Sequence, residues 1–350
     1  MTRRENTGAA GAVAAPGGSD RLDPLARPLV DALAAAFPDL GGAVTDAGEA
    51  RRILAAAPTS SASGTARPAV GPVVDRTVPG VPGAPGIPVR IYLPEPDRHA
   101  GPRPTVVFFH GGGYTLCGLD SHDATARGLA AGAGAAVVSV GYRLAPEHRF
   151  PAAVDDAYAA LCWAASESAV LGGDPGALVT AGDSSGGGLA TAVTLRARDE
   201  GGPAVALQVL LYPVLDAAQD TASYRENARG YFLTAAHMRW FWQQYLGPGG
   251  HGTHPLASPL RAADLTGLPP AHLVVAGCDP LRDEGLDYAE RLRTAGVAVS
   301  LAHCPRMFHG FLGFPELLPD AGEALADVAE VIDSVAAHRK NSGGRGGATG

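Results

Sequence analysis

The chain has 350 residues, of which 46% are hydrophobic and 18% charged, and its formal net charge is −8. This composition is typical of a compact globular protein, and the length predicts one core domain with a smaller appended element. The acidic charge and the lack of a Lys/Arg run argue against a nucleic-acid partner. No run of 18 apolar residues is present, so we expect no membrane span.

The cysteines are far apart, and no two of them form a C-x-x-C pair. This spacing favours free thiols in a reducing, cytoplasmic compartment over a disulfide framework or a zinc site. Arg3 and Arg4 are not followed by the apolar segment that an export signal requires. The four cysteines are Cys117, Cys162, Cys278 and Cys304.

The first part of the chain predicts a tail followed by two helices. Residues 1–20 are rich in Gly, Ala and polar residues, as are residues 339–350, and we expect both tails to be disordered. In the segment 21–75, leucines recur every fourth position over Asp23–Ala36, which predicts a helix, and a second helix is expected over Glu49–Ala57. A Ser/Thr/Pro/Gly-rich stretch, 58–72, is typical of a linker.

From residue 76 onward, short β-rich runs alternate with helical segments. This alternation predicts a parallel sheet with helices on both faces, over residues 76–215 and 256–338. Continuous apolar runs such as TVVFF and AVVSV are typical of strands buried on both faces. The predicted strands are Val89–Leu93, Thr105–Phe109, Ala136–Val140, Leu178–Ala181, Leu207–Tyr212, His272–Ala276 and Val297–Ala302.

The interval 216–255 is longer than a single crossover helix needs. It contains an aromatic-rich segment, Ala235–Leu246, that predicts a helix. We therefore expect 216–255 to be an insertion that forms a cap together with the two helices of the 21–75 segment.

Gly182–Gly186 (GDSSG) matches the pattern G-x-S-x-G. The motif follows the apolar run Leu178–Ala181 and begins a helical stretch that ends near Arg198, which is the strand–turn–helix setting of a serine nucleophile. The pattern predicts Ser184 as the nucleophile. Taken alone, the same residues are equally compatible with a Gly/Ser loop that caps a helix.

A second glycine motif, HGGGY at 110–114, follows the predicted strand Thr105–Phe109. Glycines allow backbone N–H groups to point at the oxyanion of an acyl-transfer intermediate without interference from side chains. A phosphate-binding glycine loop is the alternative, but the Lys-Ser/Thr that would follow it is missing. The expected oxyanion donors are the N–H groups of Gly112, Gly113 and Ser185.

With these motifs the chain resembles the hormone-sensitive-lipase-type esterases over about residues 21–338. The resemblance depends on five segments in order: HGGGY, YRLAPEHRFPAAVDDA, GDSSGG, ASPLRAADLTGLPPAHLVVAGCDPLRDEG and FHGF. It implies an α/β-hydrolase fold, with a mostly parallel central sheet flanked by helices and covered by a helical cap. It also implies a small-molecule ester as substrate and no cofactor, and it leaves a homodimer open.

In this fold the catalytic residues follow the chain order Ser, acid, His. Asp279 lies just past a late predicted strand, whereas Asp283 lies where the next helix begins, and the resemblance favours Asp279 as the acid. His309 follows the last predicted strand, where its imidazole is expected to take the Ser184 proton while Asp279 orients it.

The remaining residues of the motifs are expected to support the site. We interpret His110, Gly111 and Asp183 as residues that hold the oxyanion loop, His110 by hydrogen bonding and not as a base. The resemblance implies that Glu147 is a buried hydrogen-bonding residue that supports the same loop. The sequence departs from the family pattern at two places. Ser185 stands where the family usually has Ala, and Pro305-Arg306 replace the more usual residues before the His309 motif.

Several functions share this set of residues. An acyltransferase, or a lactone or amide hydrolase, uses the same triad, and the sequence does not separate them from an ester hydrolase. A non-catalytic ligand-binding protein on this fold is expected to have lost Ser, Asp or His, and here all three are present. His251 and His254 form an isolated H-x-x-H without a third ligand, so we expect no metal.

Overall fold

The computed structural model describes residues 21–56, 68–95 and 103–343, and it contains an eight-stranded sheet of order β1-β2-β4-β3-β5-β6-β7-β8. β2 pairs antiparallel with β1 and with β4, and the other neighbours in the sheet are parallel. The strands are β1 Val73–Val78, β2 Ile87–Tyr92, β3 Arg103–Phe109, β4 Ala136–Val140, β5 Gly173–Asp183, β6 Leu207–Leu211, β7 Ala271–Cys278 and β8 Val299–Phe308.

Helices cover both faces of this sheet, as the fold prediction requires. Their bounds are α1 Ala26–Ala36, α2 Ala47–Ala56, α3 Asp123–Ala133, α4 Ala152–Glu167, α5 Ser185–Glu200, α6 Ala222–Glu226, α7 Ala235–Leu246, α8 Arg282–Thr294 and α9 Pro319–Gly343. The central strands are apolar at successive positions because each face is covered by a separate hydrophobic cluster. One cluster includes residues of α1, α3 and α9, and the other includes residues of α2, α4, α5, α7 and α8. The α/β-hydrolase fold is therefore confirmed.

The parallel strands place the functional loops at one edge of the sheet. β3, β7 and β8 end directly before His110, Asp279 and His309, and β5 ends directly before Ser184, so the carboxyl ends of these strands bring the four residues to the same edge. Among the helices of the described residues, none is long and apolar enough to cross a membrane.

Some elements differ from the sequence-based expectations. β1 was not predicted, because most of its residues are exposed and it has neither an apolar run nor a clear alternation. It starts at Val73, within the segment 21–75. The last predicted strand was placed too early, since β8 runs to Phe308 and includes His303.

The terminal segments are described only in part. α9 continues to Gly343, so residues 339–343 of the expected disordered tail are helical. Residues 1–20, 57–67, 96–102 and 344–350 lie outside the described residues, and with them the first tail and most of the expected linker.

Candidate active site

Ser184 lies in the turn between β5 and α5. Its backbone has φ +55° and ψ −121°, a conformation that non-glycine residues adopt rarely and that surrounding contacts must hold in place. The Ser184 N–H donates to the Leu211 carbonyl at 2.8 Å, and the Val214 N–H donates to the Ser184 carbonyl at 3.0 Å. The strand-end loop after β6 thus holds the turn from both sides.

The glycines of GDSSG are explained by close packing. A Cβ atom on Gly186 would lie 1.9 Å from the carbonyl oxygen of Phe109, and one on Gly182 would lie 2.2 Å from the carbonyl oxygen of Gly186. Real Cβ atoms do not approach this closely, so only glycine fits at either position without a backbone shift.

The structure brings Ser184, His309 and Asp279 together from three separate loops. His309 Nε2 lies 3.0 Å from Ser184 Oγ, and His309 Nδ1 lies 2.7 Å from Asp279 Oδ2. All three side chains are buried. With the imidazole proton on Nδ1 facing the carboxylate, Nε2 is free to accept the serine proton.

Asp279 is held by the turn between β7 and α8. Its Oδ1 accepts the N–H of Leu281 at 2.9 Å, which leaves Oδ2 for His309. Asn227, from the 216–255 insertion, donates its side-chain amide to the Asp279 carbonyl at 2.8 Å. Asp283 does not take part in this arrangement, since its carboxylate accepts from the backbone N–H of Ser223 at 2.7 Å.

His309 follows β8 directly, and the next residue, Gly310, has φ +87°. The ring of Tyr212, the residue directly after β6, lies 4.8 Å from the His309 ring, centroid to centroid. Arg306 does not extend into the site as a free cation, because its guanidinium lies 3.6 Å from Asp23 Oδ2.

The HGGGY loop has the backbone conformation that an oxyanion hole needs. Gly112 and Gly113 have φ +109° and +59°, values that favour glycine. Their N–H groups donate to none of the described residues. Ser185 is the first residue of α5, where N–H groups have no partner inside the helix.

Asp183 and His110 hold the HGGGY loop in place through hydrogen bonds to Gly111. The Gly111 N–H donates to Asp183 Oδ1 at 2.9 Å. Burial opposes ionisation of Asp183, but His122 and the Gly111 N–H outweigh it and lower the pKa of this carboxyl below its ordinary value. His110 Nδ1 hydrogen-bonds the Gly111 carbonyl at 2.7 Å, and burial, with His122 nearby, lowers the pKa of His110 to about 4. His110 is therefore a neutral hydrogen-bonding residue at pH 7.

The expectation that Glu147 is buried is wrong. Its side chain is 54% exposed, and it pairs with Arg51 at 2.7 Å. The Arg51 hydrogen bonds lower the pKa of the Glu147 carboxyl to about 2. The link from Glu147 to the oxyanion loop passes through Arg51, whose Nε donates to the Thr115 carbonyl at 2.8 Å.

The aromatic helix α7 lies directly against the oxyanion loop. A Cβ atom on Gly113 would lie 2.1 Å from the Phe241 ring. Tyr245 stacks on Tyr114, with ring centroids 3.8 Å apart. Trp240 Nε1 donates to the Thr45 carbonyl at 3.0 Å, which joins α7 to the N-terminal segment.

Sequence reasoning missed three residues that hold the site: Arg51, Asn227 and Tyr212. Each acts through contacts with residues far away in the chain, and such contacts leave no periodic or motif signal. Tyr212 had a usable signal, because it ends a predicted strand at the edge where catalytic loops gather.

Comparison with known proteins agrees with this fold. A family model described as "alpha/beta hydrolase fold" matches residues 106–313. Carboxylesterase NlhH of Mycobacterium tuberculosis is 46% identical over 256 residues, which are 72% of this chain and 79% of that protein. The chain belongs to the hormone-sensitive-lipase-type family of α/β-hydrolases.

Two further members extend the similarity. An ethyl acetate hydrolase of Pseudomonas putida is 42% identical over 248 residues, 70% of this chain and 78% of that protein. The esterase of the archaeon Pyrobaculum calidifontis matches with a TM-score of 0.81 and 39% identity, covering 90% of this chain and 99% of that one. The similarity to this solved esterase therefore extends over most of the chain.

Proposed function

We propose that the protein hydrolyses carboxylic esters of small to medium acyl chains through an acyl intermediate on Ser184. The observation that carries the proposal is the continuous hydrogen-bonded series from Ser184 Oγ through His309 to Asp279. Esterase activity itself is supported by relatives 42–46% identical over most of the chain. The Pseudomonas putida relative acts on ethyl acetate, which supports short esters as substrates.

The mechanism follows from the positions of these atoms. Ser184 Oγ attacks the ester carbonyl carbon while its proton passes to His309 Nε2, and Asp279 stabilises the resulting imidazolium. The carbonyl oxygen becomes an oxyanion, for which we propose the N–H groups of Gly112, Gly113 and Ser185 as donors. His309 then protonates the leaving alcohol, and water repeats the sequence to release the acid and restore Ser184. No step needs a metal or an organic cofactor.

We further propose that α1, α2 and the 216–255 insertion form the cap over this site. Phe37, after α1, has its ring 5.3 Å from the Phe232 ring of the insertion, and Trp240 packs against Gly41. The N-terminal segment and the 216–255 insertion therefore pack against each other. Phe241, which is 5% exposed, lies against Gly113, whose N–H is one of the proposed oxyanion donors.

The cellular setting and the assembly are part of the same proposal. All four cysteines lie within the described residues and none of them forms a disulfide there, in agreement with a cytoplasmic location. The oligomeric state is left open, with a homodimer as one alternative.

The test is a comparison of Ser184→Ala with Ser166→Ala, an exposed serine of α4 that serves as control. With p-nitrophenyl acetate as substrate, we expect the first variant to lose about 10³-fold in kcat/KM and the second to be unchanged. A fluorophosphonate is expected to label Ser184 alone. Near-normal turnover by Ser184→Ala, or a label elsewhere, would overturn the mechanism.

The same assay separates hydrolysis from acyl transfer. With short-chain alcohols added, we expect free acid to remain the main product. An ester of the added alcohol as the main product would instead identify an acyltransferase.

A further inference from the structure

Arg51 connects the second N-terminal helix, α2, to the loop that carries the expected oxyanion donors. Its Nε donates to the Thr115 carbonyl at 2.8 Å, and its Nη2 donates to the Ala145 carbonyl at 2.7 Å. The guanidinium also pairs with both oxygens of Glu147, at 2.7 and 2.9 Å. One planar side chain therefore makes four hydrogen bonds to three residues, for which a guanidinium has enough N–H donors, with five, and an ammonium, with three, does not.

Thr115 and Ala145, the two residues whose carbonyls Arg51 binds, are themselves hydrogen-bonded to the HGGGY motif. The Thr115 N–H donates to the Gly112 carbonyl at 3.1 Å, and Thr115 Oγ1 donates to the Gly113 carbonyl at 3.0 Å. The Ala145 N–H donates to the Tyr114 carbonyl at 2.9 Å. Each carbonyl that Arg51 binds thus belongs to a residue hydrogen-bonded to the motif itself.

This arrangement makes the loop depend on a residue outside the core. Thr115 is fully buried, so its carbonyl has no access to bulk water and relies on a protein donor. Arg51 supplies that donor from α2, which precedes the sheet domain in the chain and packs against it through Ala47 and Ala50. Because catalysis by an oxyanion hole depends on donors held in place before the reaction, a shift of this loop changes the rate more than it changes substrate binding.

We propose that Arg51 is a positioning residue that couples the docking of α2 to the orientation of the Gly112 and Gly113 N–H groups. The inference rests on the proposed function, since it assigns those N–H groups to the oxyanion. It predicts that the cap segment affects the chemical step itself as well as substrate selection.

The experiment compares Arg51→Met, Arg51→Lys and the control Arg52→Met, which alters an exposed neighbour on the same helix. We measure kcat and KM for p-nitrophenyl acetate, and the inhibition constant of an aryl trifluoromethyl ketone. Addition of Ser184 Oγ to this ketone forms a tetrahedral oxyanion while the serine proton moves to His309, so inhibition reports on the oxyanion hole. Removal of one oxyanion donor costs about 10²–10³ in kcat, so misorientation is expected to cost about tenfold.

We expect Arg51→Met to lower kcat and weaken ketone inhibition by about tenfold each, with KM changed less than about twofold. Arg51→Lys is expected to stay close to Arg51→Met, because charge alone does not restore the bridge. Arg52→Met should match the wild type. Equal kcat and equal ketone inhibition in Arg51→Met and the wild type would overturn the proposal.

Glu147→Gln separates the two kinds of contact that Arg51 makes. It weakens the ion pair and leaves both carbonyl contacts, so a smaller loss than in Arg51→Met is expected. An equal loss would assign the effect to the ion pair and overturn the role of the carbonyls. Two results distinguish failure of this inference from failure of the proposed function. If the wild type is not inhibited by the ketone and fluorophosphonate labels another residue, the proposed function is wrong. If the wild type behaves as expected and Arg51→Met is unaffected, only the role of Arg51 is wrong.

Discussion

Glu284 on α8 is a buried carboxyl beneath the loop that holds Ser184, and its ionisation is expected to destabilise the protein. Its Oε2 accepts the N–H groups of Leu215 and Asp216 at 2.6 and 2.9 Å. Burial raises the pKa of Glu284 from 4.5 to about 8, although these two N–H groups oppose the shift. The folded protein therefore holds a proton that the unfolded chain releases above about pH 4.5.

The sign and size of the effect follow by linkage. A carboxyl whose folded pKa is raised contributes stability that is fully present below its unfolded pKa and is lost as the pH rises through its folded pKa. Between pH 4.5 and 8 the loss is about 1.4 kcal/mol per pH unit for a single proton. Glu284→Gln is a neutral mimic of the protonated form, and its amide oxygen can accept the same two N–H groups.

The assay is urea unfolding followed by circular dichroism at several values between pH 5 and 8. The difference in free energy of unfolding, Glu284→Gln minus wild type, is expected to rise by about 1.4 kcal/mol per pH unit in this window. Glu290→Gln, which removes an exposed carboxyl of the same helix, is the control and should follow the wild-type profile in parallel. A constant difference for Glu284→Gln would show that Glu284 ionises without cost and would refute the reasoning.

Three further predictions concern the site. Gly113→Ala introduces a Cβ 2.1 Å from the Phe241 ring at φ +59°, so kcat should fall by about tenfold or more, and Phe241→Leu in the same chain should recover part of the loss. Ser185→Ala removes only the side-chain hydroxyl of a buried residue and keeps the backbone N–H that we propose as an oxyanion donor, so kcat for p-nitrophenyl acetate should stay within about twofold of the wild type. Asp279→Asn should lower kcat by about 10⁴-fold, because the imidazole loses its orienting carboxylate. Asp283→Asn should lower kcat far less and should instead lower the melting temperature, because Asp283 accepts the N–H of Ser223. The reverse ranking would reassign the acid.

The catalytic candidates were predictable because their chemistry restricts both residue type and backbone setting. Ser184 needs close-packed glycines on either side, and the acid and base must follow strands whose carboxyl ends meet at one edge. The predicted strands beneath them were long apolar runs, which occur only where both faces are covered. β1 lacked that signal because four of its six residues are exposed.

The residues that hold the site were not predictable in the same way. Glu147 was expected to be buried, and its true partner, Arg51, is 96 residues away in the chain. Asn227 reaches the Asp279 carbonyl across 52 residues. A hydrogen bond between distant segments depends on how those segments dock, which is a property of the folded chain and not of local spacing.

The packing of α7 also gives the protein an internal optical probe. Only three tryptophans occur in the chain, and two of them, Trp240 and Trp242, are on this helix. Trp240 Nε1 donates a hydrogen bond to the Thr45 carbonyl, and the Trp242 ring lies 6.0 Å from the ring of Tyr114 in the HGGGY loop, centroid to centroid. Indole emission depends on the polarity and mobility of its surroundings, so the intrinsic fluorescence of the unlabelled protein should change when α7 moves relative to Thr45 or to the HGGGY loop.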